Sequence, residues 1–161
     1  SLSKFHLKHP FELHLNGNNF QIAYDPGESV NDMFGGNSNW RGPIWMPLNF
    51  MIIESLRKFD YYYGDNLKVE CPVGSGNYLS LYEVSIELTK RLIRLFRFNG
   101  EGRLSENGKN PILFEPAFAS NLRFFEYFHG DTGKGLGASQ QTGWTGLIAE
   151  LIRRSAKDGF S

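Results

Sequence analysis

The segment from 44 to 59, IWMPLNFMIIESLRKF, limits the possible folds more than any other part of this chain. It is apolar nearly all round, with Ile44, Trp45, Leu48, Phe50, Met51, Ile52, Ile53, Leu56 and Phe59. A helix with no continuous polar face has to be covered on most of its sides. Pro43 suits the first residue of such a helix, because its missing donor costs nothing there. Pro47 falls in the first turn, where the loss is equally small. The chain must therefore wrap this helix with other elements.

The remaining pattern supplies candidates. FELHLNGNNFQIAY predicts a β-hairpin with strands near 11–15 and 20–24 around Asn16-Gly17-Asn18-Asn19. Residues 60–77, closed by Pro72, Gly74 and Gly76, read as a loop. From 78 to 98 the apolar period is helical. Leu81, Val84, Leu88, Leu92, Leu95 and Phe96 form the inner stripe, and Glu87 and Arg91 sit four apart in the favourable order. The stretch NGEGRLSENGKNP is a polar turn region. A short helix or irregular segment is expected over 117–124, and a last helix from near Trp144 to about Lys157. The expected class is mainly α, with a wholly buried helix followed by a half-exposed one, as in stacked helical pairs, and long loops at one end.

Bulk properties exclude more than they assign. The 161 residues carry 17 basic and 17 acidic side chains, so no overall field draws in nucleic acid or anionic membrane. No apolar run reaches membrane-spanning length, so no membrane insertion is expected in this segment. The single cysteine, Cys71, excludes an internal disulfide framework and a cysteine-based zinc site. His6, His9 and His14 share the N-terminal strand region while His129 stands apart, which offers no metal-ligand spacing. GDTGKG at 130–135 fails as a phosphate loop, because Phe128 stands where the first glycine is needed and Gly135 follows the lysine.

Two segments carry candidate chemistry. FFEYFHGDTGKGLGASQQTGWTG, 124–146, sets Glu126 among Phe124, Phe125, Tyr127 and Phe128, then adds a glycine-rich loop and a helix opening on Trp144. A partly desolvated carboxylate suits proton exchange near neutrality, although on composition alone a glutamate hydrogen-bonded beneath an aromatic loop accounts for Glu126 at least as well. GGNSNWRGPIW, 35–45, has the same glycine, amide and aromatic grammar. Trp40, Trp45 and Trp144 are candidate platforms for the C–H faces of a pyranose, with Arg41 and Asn39 binding hydroxyls, although core packing at helix starts accounts for the tryptophans about as well. Asp131 reads as turn chemistry. Glycines 133, 135 and 137 are expected to keep the rim open.

GGNSNWRGPIWMPLNFMIIESL, VECPVGSGN and FFEYFHGDTGKGLGASQQTGWTGLIAEL resemble, in order, the C-terminal part of the glycoside hydrolase family that contains processing α-glucosidase I. The match is closest to its bacterial and fungal glucosidase-like and mannosylglycerate-hydrolase-like members, and it covers nearly the whole chain. The resemblance implies an α/α toroid of inner and outer helices. Residues 1–161 would form a single segment, the C-terminal portion of a larger catalytic domain, with the N-terminal hairpin attached. It implies cofactor-free, inverting hydrolysis of α-linked glucosides or mannosides. Glu126 falls on the family's general base. Trp40, Arg41, Gly42 and Trp45 fall on the Trp-Arg-Gly segment lining the sugar pocket, and Trp144 on the Gly-Trp-Thr helix start.

An inverting enzyme needs a second carboxyl, roughly 6.5–9.5 Å from the first. In the family that general acid lies upstream of the Trp-Arg-Gly motif, and no matching segment precedes residue 35. The expected partners are a carbohydrate substrate and the remainder of the catalytic domain, and the 161 residues alone are expected to be inactive. The alternatives are a non-catalytic carbohydrate-binding or scaffold fragment, and a hydrolase of sugar–glycerate compounds. If the resemblance holds, the loops at 35–45 and 124–144 meet at one end of the helices.

Overall fold

Three helices pack around one core: α1 (Met46–Tyr63), α2 (Leu81–Arg94) and α5 (Leu147–Lys157). The computed structural model of the chain describes residues 2–29, 39–98, 108, 115–119 and 121–159. The polar region 99–111, apart from Gly108, and residues 35–38 of the first motif lie outside the described residues. The core is Met46 and Ile53 of α1, Leu92, Ile93 and Leu95 at the end of α2, Ile148 and Leu151 of α5, and Phe128 from the loop side. Phe128 thus ties the glutamate segment into the helical core.

Helix α1 begins at Met46, three residues later than Pro43 would allow, and Pro47 takes the position in the first turn. The reason is local: Ile44 is drawn into an extended bridge with Phe128 and cannot also be helical. At its other end α1 runs on to Tyr63, where Gly64 at φ 56° ends it. The expected loop 60–77 is only partly loop. Strand β3 (Lys68–Glu70) pairs antiparallel with β4 (Tyr78–Ser80), and α2 starts at Leu81. Ser80 fixes that start. Its hydroxyl accepts from the Glu83 amide at 3.2 Å, and the Glu83 carboxylate accepts from the Ser80 amide at 2.7 Å, a reciprocal cap. Asp60 of α1 accepts from the Tyr82 amide at 2.9 Å and docks the same turn.

The buried stripe of α2 is rotated from the one its leucines suggest. Ser85, Ile86, Thr89 and Ile93 are buried with Leu81 and Leu92, whereas Val84 and Leu88 are half-buried. Ser85 and Thr89 can lie inside because their hydroxyls donate back to the carbonyls of Tyr82 and Ser85, at 2.6 and 2.8 Å. Arg57 of α1 reaches Ser85 Oγ at 3.3 Å and Asp158 beyond α5 at 3.4 Å, so one guanidinium spans all three helices. Arg154 of α5 pairs with Glu54 of α1 on the same side.

The N-terminal hairpin forms with a tighter turn than expected. Strands β1 (Phe11–Leu15) and β2 (Asn18–Ile22) are joined by Asn16 and Gly17 alone, both at positive φ, which matches the natural twist of a two-residue hairpin. Its register puts Phe11 opposite Ile22 and Leu13 opposite Phe20. That gives one apolar face, and Phe11, Leu13, Leu15 and Phe20 remain exposed.

Further along, α3 (Pro116–Ala119) is a single turn. Strand β5 (Tyr127–Phe128) pairs with β6 (Gly135–Leu136), and α4 (Thr142–Thr145) leads into α5. Among the described residues no helix is long and apolar enough to cross a membrane.

The expectation that α1 is covered on most sides is not met by the described elements. Of its residues only Met46 and Ile53 are buried, while Met51, Ile52 and Phe59 stay 55%, 51% and 54% exposed. Helices α2 and α5 cover one side and leave the other open. Leu151→Ala, at a fully buried site, should therefore cost about 2–5 kcal/mol in urea unfolding. Ile52→Ser, on the open side of α1, should change stability by about 0.5 kcal/mol or less, a contrast that two denaturation curves decide.

Candidate functional site

The two motif segments meet at the N-terminal end of α1. Ile44 and Phe128 exchange backbone hydrogen bonds, 2.7 Å from the Ile44 amide and 3.0 Å from the Phe128 amide. On its other side the 124–128 strand is held by the returning loop. The Glu126 amide donates to Ala138 O at 2.8 Å, the Gln141 amide to Phe124 O at 2.6 Å, and the His129 amide to Lys134 O at 2.8 Å. Thr145 Oγ1 closes the set by donating to Phe125 O. The acid-bearing strand is therefore fixed on both edges.

The aromatics order themselves about Trp45. Trp40 stacks on Trp45 with centroids 4.5 Å apart and planes within 6°. Tyr127 stacks on Trp45, also at 4.5 Å, and Trp144 tilts against it at 5.7 Å. Trp45 is buried and donates its indole N–H to Asn39 O at 3.1 Å. Trp40 is the outer ring, 42% exposed, and Trp144 is half-buried. Of the three candidate platforms, Trp40 and Trp144 have surface to offer, and Trp45 supports both from within.

Arg41 and Gly42 face the other way, against residues 25–29. Arg41 is buried. Its Nε donates to Asn39 Oδ1 at 2.9 Å, and its Nη2 to Asp25 Oδ2 at 3.1 Å and Ser29 Oγ at 2.7 Å. Asn39 in turn donates to the carbonyls of Asp25 and Gly27, at 3.1 and 2.7 Å. A Cβ on Gly42 would lie 2.6 Å from Asp25 O, so glycine is what lets the two backbones touch. Arg41 and Gly42 hold a wall of the site rather than standing at its mouth.

Glu126 is half-buried. Its Oε2 accepts from the Ala138 amide at 3.3 Å, and among the described residues no donor is assigned to Oε1. Gly137, at φ 68°, lies so close that a Cβ there would meet Glu126 Oε2 at 2.6 Å and the Tyr127 ring at 2.8 Å. The loop glycines thus act differently from the expected open rim. At Gly135 a Cβ would fall 2.1 Å from the Phe125 ring, so that glycine makes room for an aromatic packed beneath the loop.

The Tyr127 hydroxyl is the feature that sequence reading missed. Tyr127 is 1% exposed, and no hydrogen bond to its hydroxyl is found among the described residues. Burial pushes its phenol up, and the negative charges of Glu28 and then Glu126 push in the same direction. Two carboxylates are therefore felt at one buried phenol. Only Tyr127's place next to Glu126 hinted at this, and nothing in the sequence brought Glu28 near.

At the rim, Asp131 gathers Lys4 Nζ at 2.9 Å and the Tyr24 hydroxyl at 3.0 Å, and its carboxyl is held below the usual range mainly by Lys4. His129 Nδ1 accepts from the amides of Asp131 and Thr132, at 3.1 and 3.3 Å. Asp131 is thus the turn residue its sequence suggests. Among the described residues no group of three or more His, Cys, Asp or Glu is arranged to hold a metal.

The strand that carries the half-buried Glu126 thus meets the tryptophan cluster through Tyr127, at the N-terminal end of α1. Relatives among known proteins indicate the kind of protein. An uncharacterised protein of Saccharomyces cerevisiae is 56% identical over 155 residues, covering 94% of this chain and 14% of that protein. The mannosyl-oligosaccharide glucosidase of the same yeast is 29% identical over 125 residues, which is 76% of this chain and 12% of the relative. A probable mannosyl-oligosaccharide glucosidase of Schizosaccharomyces pombe is 25% identical over 126 residues, 77% and 12% respectively. The chain is a distant relative of these glucosidases and glycoside-hydrolase-like in kind, and it spans only about an eighth to a seventh of their lengths. No family model and no solved structure matches it.

Two outcomes test this geometry. Gly130→Ala should destabilise the protein by about 1–3 kcal/mol in chemical denaturation, because its Cβ would lie 2.4 Å from Gly42 O and break the contact between the two motifs. The second concerns Tyr24, whose phenol is pushed from 10 up to about 12, chiefly by burial and then by its bond to Asp131. Between those values the folded state keeps a proton that the unfolded chain has released, so the stability due to Tyr24 is complete below pH 10 and lost as pH rises through 12. The difference in Tm between wild type and Tyr24→Phe should shrink across that window.

Proposed function

We propose that this chain carries the general base of an inverting α-glycosidase acting on oligosaccharides, with Glu126 as that base. The observation that carries the reading is the half-buried Glu126 carboxylate, oriented through Oε2 by the Ala138 amide on a strand joined to the aromatic cluster through Tyr127. In this mechanism Oε1 accepts a proton from water. The water oxygen attacks the anomeric carbon as the glycosidic C–O bond breaks, and the leaving oxygen takes a proton from a second carboxyl. That second carboxyl would come from a part of the polypeptide beyond these 161 residues, which alone would not turn over. No cofactor enters such a step.

Trp40 and Trp144 would meet the sugar's C–H faces, while Trp45, Arg41 and Gly42 hold them in place. Arg41 already pairs with Asp25, which favours a neutral oligosaccharide over a sugar–glycerate compound bound through its carboxylate. The open side of α1 fits further helices of an α/α toroid, supplied by the remainder of a larger catalytic domain. Such a ring would restore the cover that this apolar helix lacks.

In the full-length natural polypeptide, Glu126→Gln should lower kcat on aryl α-glucosides or α-mannosides by about 10²–10⁴-fold, with KM and the thermal transition unchanged. Near-normal hydrolysis by that variant removes Glu126 from the mechanism. Sugar binding by calorimetry without any release of monosaccharide by the wild type would instead favour a non-catalytic carbohydrate-binding module.

A further inference from the structure

His129 follows the acid-bearing strand and opens the turn that leads into β6. Its Nδ1 accepts from the amides of Asp131 and Thr132, at 3.1 and 3.3 Å. A backbone amide can only donate, so Nδ1 has to offer a lone pair and the imidazole proton has to sit on Nε2. The backbone closes the same turn, from the His129 amide to Lys134 O at 2.8 Å and from the Gly133 amide to His129 O at 2.9 Å. His129 thus caps its turn as an asparagine would, with one difference. An imidazole can gain a proton between pH 5 and 8, and a side-chain amide cannot.

A proton on Nδ1 is incompatible with this geometry. The lone pair becomes an N–H, and three donors then face one another with no acceptor among them. The turn also carries the contacts that fasten the chain on both sides of the β1–β2 hairpin. Asp131 gathers Lys4 Nζ at 2.9 Å and the Tyr24 hydroxyl at 3.0 Å, and the Gly130 amide donates to Pro26 O at 2.8 Å. Among the described residues, the elements packed against the ring carry a mixed set of charges. Asp131 and Lys134 belong to its own turn, and Asp25 and Glu28 to the 25–29 segment, where a Cβ on Gly27 would come within 3.2 Å of the imidazole. Lys4 and Tyr24 join them through Asp131, whose carboxyl is lowered mainly by Lys4 and also feels the His129 charge. An imidazolium would therefore compete with Lys4 and Tyr24 for the Asp131 carboxylate.

We propose that His129 is a pH-sensitive latch. Neutral, it caps the 129–134 turn and holds the segments flanking the hairpin against the loop; protonated, it opens the turn and loosens those segments. The latch goes beyond the glycosidase reading and operates whether or not Glu126 is a base.

Hydrogen–deuterium exchange of the full-length natural polypeptide tests this, read by mass spectrometry on peptides spanning 129–135 and 2–24. Wild type, His129→Asn and His129→Ala are compared at about pH 8 and about pH 5, with the intrinsic amide rates divided out. Asparagine keeps an acceptor at the same distance along the side chain and does not titrate. At the higher pH, wild type and His129→Asn should exchange alike, and His129→Ala about threefold faster in 129–135. At the lower pH, wild type should speed up about threefold to match His129→Ala while His129→Asn stays protected, and 2–24 should follow 129–135. Equal exchange of wild type and His129→Asn at the lower pH, whether both slow or both fast, overturns the proposal. So does wild-type exchange in 129–135 that is the same at both pH values, whatever the variants do. Protection of His129→Ala equal to wild type at the higher pH also overturns it, since the imidazole would then not be the cap.

Discussion

The exchange of two backbone hydrogen bonds between Ile44 and Phe128 is the contact on which the site depends. It joins positions 84 residues apart, pins the start of α1, and makes the acid-bearing strand part of the helical core through the buried Phe128 ring. Everything on either side follows from it. Trp45 comes next to Ile44 and therefore over Tyr127, which precedes Phe128, while Gly42 and Gly130 let the flanking backbones close in. A side chain at either glycine would push against backbone, which cannot move aside as a rotamer can.

Much of this was legible in the sequence, for definite reasons. Asn16-Gly17 specified its hairpin because a two-residue turn of that hand needs φ above zero twice. Helix α2 was visible from its period, and the last helix ends at Lys157 as expected, although Gly146 divides its start into α4 and α5. The start of α1 was misread because a bridge to a distant strand overrode the local preference of Pro43. The stripe of α2 was misread because Ser85 and Thr89 satisfy their hydroxyls internally and can be buried where polarity alone argues against it. Nor does composition reveal that Arg41 and Trp45 lie behind the surface, since a buried pair such as Arg41–Asp25 depends on long-range placement.

Two apolar surfaces remain open on the described structure, one side of α1 and the face of the β1–β2 hairpin. Each gathers several exposed apolar side chains, Met51, Ile52 and Phe59 on the one and Phe11, Leu13, Leu15 and Phe20 on the other. They differ in support. Helix α1 starts directly after Trp45, whereas the hairpin region is fastened near Tyr24 and Lys4 through Asp131.

The three tryptophans of the chain, Trp40, Trp45 and Trp144, all belong to the one aromatic cluster. Intrinsic indole emission from this protein is therefore a local signal. It reports the state of the site and is blind to α2 and to most of α5, which contain no tryptophan. Far-ultraviolet dichroism reports the opposite, the helices. Coincident melting by the two signals would mean that the tryptophan-bearing loops and the helical core come apart as a single cooperative unit, and separated transitions would measure how much more loosely the site is held.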